Sequence, residues 1–277
     1  MYVEPMGGMG NRFNCIISAI VTSRKYGYKL YIIWNRDLGC AIKLNQLLEP
    51  FSDVRIIELY RMGYRRILGF LTLLSMVFCK CIMKKCDITL DEHYMRFEYP
   101  NVTEREKKQL FENKSIYIST SCGWVDNEGF ESVRDEIIPR SKYIDIVYNI
   151  LKNVNPDKLF GFHIRRTDHV VSIQNCPTRL FTEKMDQLIK EDSQVVFFVA
   201  TDDDQLETEL KDKYGHYILE KKSFSKKVKR NTRLGMQDAF VDVLCLSKCK
   251  KIYGSHSTFS TFAAYLGNTE LEMMEIK

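Results

Sequence analysis

The chain has 277 residues, 45% of them hydrophobic and 28% charged, with a formal net charge of +5. That length suits one large domain or two compact ones with ample buried core. The mild positive balance favours an anionic ligand and falls well short of a nucleic-acid-binding charge, since the basic residues outside Lys221–Arg233 are not interleaved with aromatics.

The nine cysteines are odd in number and sit in apolar segments, as Cys15 does in "FNCIISAI" and Cys245 in "VDVLCLSKC". Packed there, a free thiol behaves as a small hydrophobe, so a reducing, cytoplasmic compartment is expected. The stretch "CKCIMKKC" (Cys79, Cys81, Cys86) lacks the paired C-x-x-C knuckle and has only His93 nearby, so no metal site is expected. The start, "MYVEPMGGMGNRF", has no charged segment followed by an apolar block, and no signal peptide is expected. Without secretion, the glycosylation patterns at Asn101 and Asn113 are read as chance.

In chain order, a short apolar start and the glycines of "GGMGNRF" lead into a helix, with Phe13, Ile16, Ile17, Ile20 and Val21 at helical spacing. "KLYIIW" (Lys29 to Trp34) reads as a strand. "ILGFLTLLSMVFC" (Ile67 to Cys79) is the most apolar segment and is too short to span a bilayer, which takes roughly 20 residues. It reads first as a core helix. Its basic flanks (Arg65 and Arg66 before, Lys80, Lys84 and Lys85 after) keep peripheral membrane contact through residues 65–85 open.

Beyond the Asn155-Pro156 step, strands and helices alternate. "KLFGFHI", "QVVFFVATDD", "HYILE" and "KKIYGS" read as strands. "RLFTEKMDQLIKE", "QLETELKDKYG", "GMQDAFVDVLCLSKC" and "STFSTFAAYLGN" read as the helices between and after them. The pattern predicts doubly wound parallel α/β layers in two Rossmann-like domains, residues 1–155 and 156–277.

In such sheets, ligands bind outside the carboxyl ends of the strands. Arg165 and Arg166 follow "LFGFHI" at that place. Arginine offers a planar fork of donors suited to phosphate oxygens. Alternation puts His163, Arg165 and Thr167 on one face and Arg166 and Asp168 on the other, so one arginine can meet a ligand while the other pairs with a carboxylate such as Asp168. In "YGSHSTFST", hydroxyls and backbone N–H groups open a helix, which can serve as a phosphate site or as a plain cap. Asp238 and Asp242 share a helix face, and the apolar company of Asp242 favours an inward role. The basic stretch Lys221–Arg233 reads as a solvated loop or as a cover for an anionic ligand, and the acids of "TDDDQ" as a strand–helix cap.

Three segments together resemble the superfamily of GDP-fucose-dependent fucosyltransferases, the α1,2- and α1,6-enzymes and the protein O-fucosyltransferases. "HIRRTD" is similar to the family's His-x-Arg-Arg-x-Asp motif, "GGMGNRFN" to its glycine-rich start, and "VDVLCLSKCKKIYGSHSTFSTFAAYL" to its late Ser-Thr/Ser-Phe segment. The resemblance implies a GT-B fold and an inverting transfer of fucose to a glycan or polysaccharide, with GDP-fucose as donor and no metal or other cofactor. By the same resemblance Arg165 holds the β-phosphate as it leaves, and His163 lines that pocket. Asp242 reads guanine, Ser257, Thr258 and Phe259 close around the nucleotide, and Asn11 faces the sugar or acceptor. The glutamate that serves α1,6-enzymes past the arginine motif is missing from "HVVSIQNCPTR", which leaves Asp168 and His169 as candidate bases. A transferase using a GDP-mannose-like donor, or a nucleotide-binding module without turnover, remains the alternative. Acceptor, linkage and oligomeric state are not legible.

Overall fold

Short strands rich in β-branched and aromatic residues alternate with helices. In the computed structural model, which describes residues 1–61, 66–167, 170–221 and 231–276, they build two parallel sheets. The first compact unit is built on Met1–Pro139, and the second takes in Arg140–Lys229 and Leu234–Lys277. The chain thus passes between units after Pro139, earlier than the Asn155-Pro156 step.

In the first unit, β1 (Tyr2–Pro5), α1 (Met9–Tyr26), β2 (Leu30–Arg36), β3 (Val54–Tyr60), α2 (Arg66–Met83), β4 (Ile88–Leu90), α3 (Glu104–Phe111), β5 (Ile116–Thr120) and α4 (Asn127–Glu131) follow one another. The sheet order is β3-β2-β1-β5-β4, all parallel. Alternation along β2 explains how both faces are covered. Trp34 packs toward Phe13 of α1, while Ile33 turns the other way toward Cys79 of α2 and Tyr117 of β5. The buried Glu4 accepts from Asn35 Nδ2 at 2.6 Å, from Arg61 Nη1 at 2.7 Å and from the Tyr117 hydroxyl, so its charge is fully hydrogen-bonded.

The segment Ile67–Cys79 is helical but is not the core helix expected. Among the described side chains of α2, a narrow edge is buried, at Ser75 and Cys79, while Phe70, Leu71, Leu73, Leu74, Met76, Val77 and Phe78 are exposed. The reason is geometric: a helix lying on a sheet with no further layer above it buries one edge only, whatever its composition.

The second unit runs α5 (Ser141–Leu151), β6 (Leu159–Ile164), α6 (Val170–Asn175), α7 (Thr178–Glu191), β7 (Val196–Thr201), α8 (Asp204–Tyr214), α9 (Arg233–Leu246), β8 (Lys251–Gly254), α10 (Thr258–Gly267) and β9 (Glu270–Met273). Its sheet is β7-β6-β8-β9, again wholly parallel. Tyr143 of α5 packs edge-on against Phe240 of α9, with centroids 5.0 Å apart, which ties α5 to this unit. "HYILE" contributes a single bridge, Ile218 to Phe197, instead of a full strand. The strand β9 was not foreseen. The helix α9 is buried around most of its circumference, so it shows no sided periodicity.

Candidate functional site

The strands β6 and β8 are neighbours, with His163 opposite Gly254. Their pairing continues past the ladder: Ser255 N–H donates to His163 O at 2.9 Å, and Arg165 N–H donates to Ser255 Oγ at 3.2 Å. Both strands therefore end together, and the buried Ser255 fixes where Arg165 leaves the sheet. Ser257 caps α10, its hydroxyl accepting from Phe259 N–H at 3.2 Å. Arg165 Nη1 reaches the same hydroxyl at 3.4 Å. A half-buried guanidinium thus stands at the amino end of a helix. Thr258 is exposed in the first turn of that helix.

His163 is buried and stacks on Phe259, with ring centroids 4.8 Å apart and planes 28° apart. Its Nδ1 lies 3.3 Å from Ser260 Oγ. The Ser260 hydroxyl lies 3.0 Å from the carbonyl oxygens of both Ser255 and Ser257 and shares its one proton between them. Gly254 makes this approach feasible: a Cβ there would come 2.9 Å from Ser260 Cβ and 3.0 Å from Leu271 Cδ1.

Arg166 turns the opposite way from Arg165, as alternation requires. Its Nε donates to Thr178 Oγ1 at 3.1 Å, and its terminal nitrogens donate to the carbonyls of Arg165 (2.7 Å) and Cys176 (3.0 Å). The group also lies over the Phe181 ring at 5.6 Å, and burial pushes it below the usual arginine range. Among the described residues, a carboxylate at this turn is Asp202, which accepts from Arg166 N–H at 2.6 Å and from Thr167 Oγ1 at 2.7 Å. Asp203 caps α8, accepting from Gln205 and Leu206 N–H at 2.9 and 3.2 Å. Sequence reasoning saw the cap but missed Asp202, whose only signal is its place at the end of the strand beside β6. Asp168 and His169 lie outside the described residues, as does 222–230 of the basic stretch.

Asp242 is buried on α9 and holds Lys221 through both oxygens, at 2.8 and 3.0 Å. Burial pushes Asp242 above the ordinary carboxylate range against the pull of Lys221. Burial pushes Lys221 down, but the charge and hydrogen bonds of Asp242 outweigh it and leave Lys221 raised. The Lys221 ammonium also lies 5.5 Å from the centre of the Phe198 ring. Asp238, one turn earlier, is buried too.

In the first unit Asn11 is half-buried at the start of α1, with its amide folded over Gly7. Gly7 has φ of 78°, and a Cβ there would meet Asn11 Nδ2 at 2.6 Å, so both backbone and space require glycine. The neighbouring Arg12 is wholly buried and donates to Gly7 O at 2.8 Å, Asn35 O at 2.5 Å and Asp37 Oδ2 at 2.6 Å. It locks the glycine turn to the end of β2, a structural task that its position beside Asn11 does not announce.

The sequence profile of glycosyl transferase family 11 matches residues 124–274, more than half of the chain. The chain belongs to glycosyl transferase family 11. Family 11 membership makes it a glycosyltransferase, and the matched span covers both strand ends and α10. No curated protein matches it in sequence.

Among solved structures, the NodZ α-1,6-fucosyltransferase soaked with GDP-fucose superposes with a TM-score of 0.59 at 16% identity, covering 96% of this chain and 92% of that one. Fucosyltransferase NodZ from Bradyrhizobium gives 0.57 at 14%, covering 95% and 92%. POFUT1 in its apo form gives 0.55 at 11%, covering 99% and 98%. At these identities the likeness is one of fold. With two parallel-sheet α/β units, this family 11 chain has the GT-B class of fold.

Proposed function

We propose that this protein transfers L-fucose from GDP-fucose to a glycan or polysaccharide acceptor with inversion, without a metal, and that Arg165 stabilises the departing diphosphate. The observation that carries the reading is the Arg165–Ser257 contact at the amino end of α10. A guanidinium beside the positive end of a helix is repelled unless an anion lies between them, and together the two make an anion site. The NodZ chain soaked with GDP-fucose, which shares this fold, supports that donor.

In the proposed reaction an acceptor hydroxyl oxygen bonds to the fucose anomeric carbon as the bond to the diphosphate oxygen breaks. Positive charge grows on the sugar ring and negative charge on GDP, and Arg165 with the first N–H groups of α10 meets the latter. His163 and Phe259 form a stacked wall beside it, and Ser257 and Thr258 supply hydroxyls. The hydroxyl proton goes to a base, for which Asp168 and His169 remain the candidates. Asp242 is proposed to read guanine, which requires it to share or surrender Lys221. Asn11 of the first unit is proposed to serve the sugar or acceptor, that unit forming the acceptor-side domain and the second unit, which begins at Arg140, the donor-side one. Nine free thiols support a cytoplasmic location.

The test is calorimetric titration with GDP, UDP and GDP-fucose in the absence of divalent metal, on the wild type and Arg165→Ala. Binding of GDP and GDP-fucose but not UDP, lost in the variant, supports the reading. Failure of GDP and GDP-fucose to bind overturns it. Binding without release of fucosylated product on any acceptor panel indicates a nucleotide-binding module.

A further inference from the structure

We propose that α2 seats this protein on an anionic lipid surface, lying in the interface instead of crossing it. Phe70, Leu73, Leu74 and Val77 stand at helical spacing along its outward side, with Cys81 one turn on, and Phe70 and Leu73 are 58% and 57% exposed. The inward edge carries the polar residue: Tyr60 N–H donates to Ser75 Oγ at 3.3 Å, and the Ser75 hydroxyl donates to Tyr60 O at 3.0 Å. With Cys79 packed against Ile33 and Tyr117, these bonds fix the rotation of the helix, so its leucines cannot turn inward. A contiguous apolar face of this kind marks an interaction surface.

Charge decides the occupant. From Leu59 to Cys86 the sequence holds no aspartate or glutamate, and beside Arg61, which is paired with Glu4, it holds Arg65, Arg66, Lys80, Lys84 and Lys85. Lys80, Lys84 and Lys85 are exposed at the carboxyl end of α2. A second copy docked through α2 would bring two such unbalanced clusters together, whereas anionic headgroups neutralise them. An apolar stripe with basic ends matches an interfacial helix sunk among headgroups. Among the described residues no helix is long and apolar enough to cross a membrane.

The experiment is flotation of the full chain with vesicles of phosphatidylcholine alone or with about one-third phosphatidylglycerol, at low and high salt. The wild type is expected to float with the anionic vesicles, less so at high salt. Lys80→Gln/Lys84→Gln/Lys85→Gln lowers that binding by about a hundredfold. Leu73→Glu/Val77→Glu abolishes it with the thermal midpoint little changed, because both side chains already stand about half-exposed. The proposal is overturned if the wild type does not float, or floats equally with neutral vesicles. It is equally overturned if α2 supports only a dimer that Leu73→Glu/Val77→Glu dissociates. The readout is vesicle binding, so it stands or falls apart from the donor and the reaction.

Discussion

Lys221 and Asp242 form a buried ion pair in which one ammonium meets both carboxylate oxygens, at 2.8 and 3.0 Å. Such a pair gains little over well-packed apolar groups, but removing one partner strands the other charge. Asp242→Ala should therefore cost about 3–5 kcal/mol of stability in chemical denaturation. Asp242→Leu/Lys221→Met should recover most of it. If Asp242 reads guanine, the double variant folds yet still discriminates poorly between GDP and UDP. Normal discrimination in that variant would remove Asp242 from the nucleotide site.

The two arginines of "HIRRTD" should separate cleanly. Arg165 has its side chain at the capping hydroxyl of α10, so Arg165→Ala should lower the transfer rate by about 10²–10³ with the thermal midpoint nearly unchanged. Arg166 donates to Thr178 and to the carbonyls of Arg165 and Cys176, so Arg166→Ala should cost about 1–3 kcal/mol of stability. Parallel thermal melts and initial rates on the two variants distinguish the roles.

Gly254→Ala forces a methyl against Ser260 and Leu271 at 2.9–3.0 Å. The helix α10 must then shift, which should cost about 1–3 kcal/mol. Because Ser260 carries the His163 contact and Ser257 the Arg165 contact, GDP affinity should fall along with the thermal midpoint.

Glu92 offers a pH test. Burial pushes this carboxyl up, but donors from Ser121 and Thr120 and the charge of Arg96 outweigh it and hold Glu92 below its ordinary value. A lowered folded value means its contribution is fully present above the unfolded carboxyl value, about pH 4.3, and is lost as pH falls through the folded one. The stability difference between the wild type and Glu92→Gln should thus be level near neutrality and shrink on acidification below about pH 4.3. A difference that grows toward low pH would contradict this.

Much was legible along the chain. Periodicity gave the helix from Met9 and the strand through Trp34, and the alternation after Pro156 gave a parallel layer whose strand ends carry Arg165 and Ser257. These are local signals, because side-chain period and the position of a residue at the end of an apolar run depend on near neighbours only. The motifs also pointed to a glycosyltransferase, which membership of family 11 bears out.

Which partner each of those residues takes was decided by the fold. Asp202 belongs with Arg166 and Thr167 because β6 and β7 lie side by side, and Lys221 belongs with Asp242 because the chain returns to α9 after a bridge at Ile218. The structural role of Arg12 shows only once the glycine turn and β2 close around it. The apolar run of α2 looks like core until the structure shows it as an outer layer, packed on the sheet by one edge with its other side exposed. Composition fixes what a segment prefers, but burial depends on how many layers are stacked there, and that is set by distant parts of the chain.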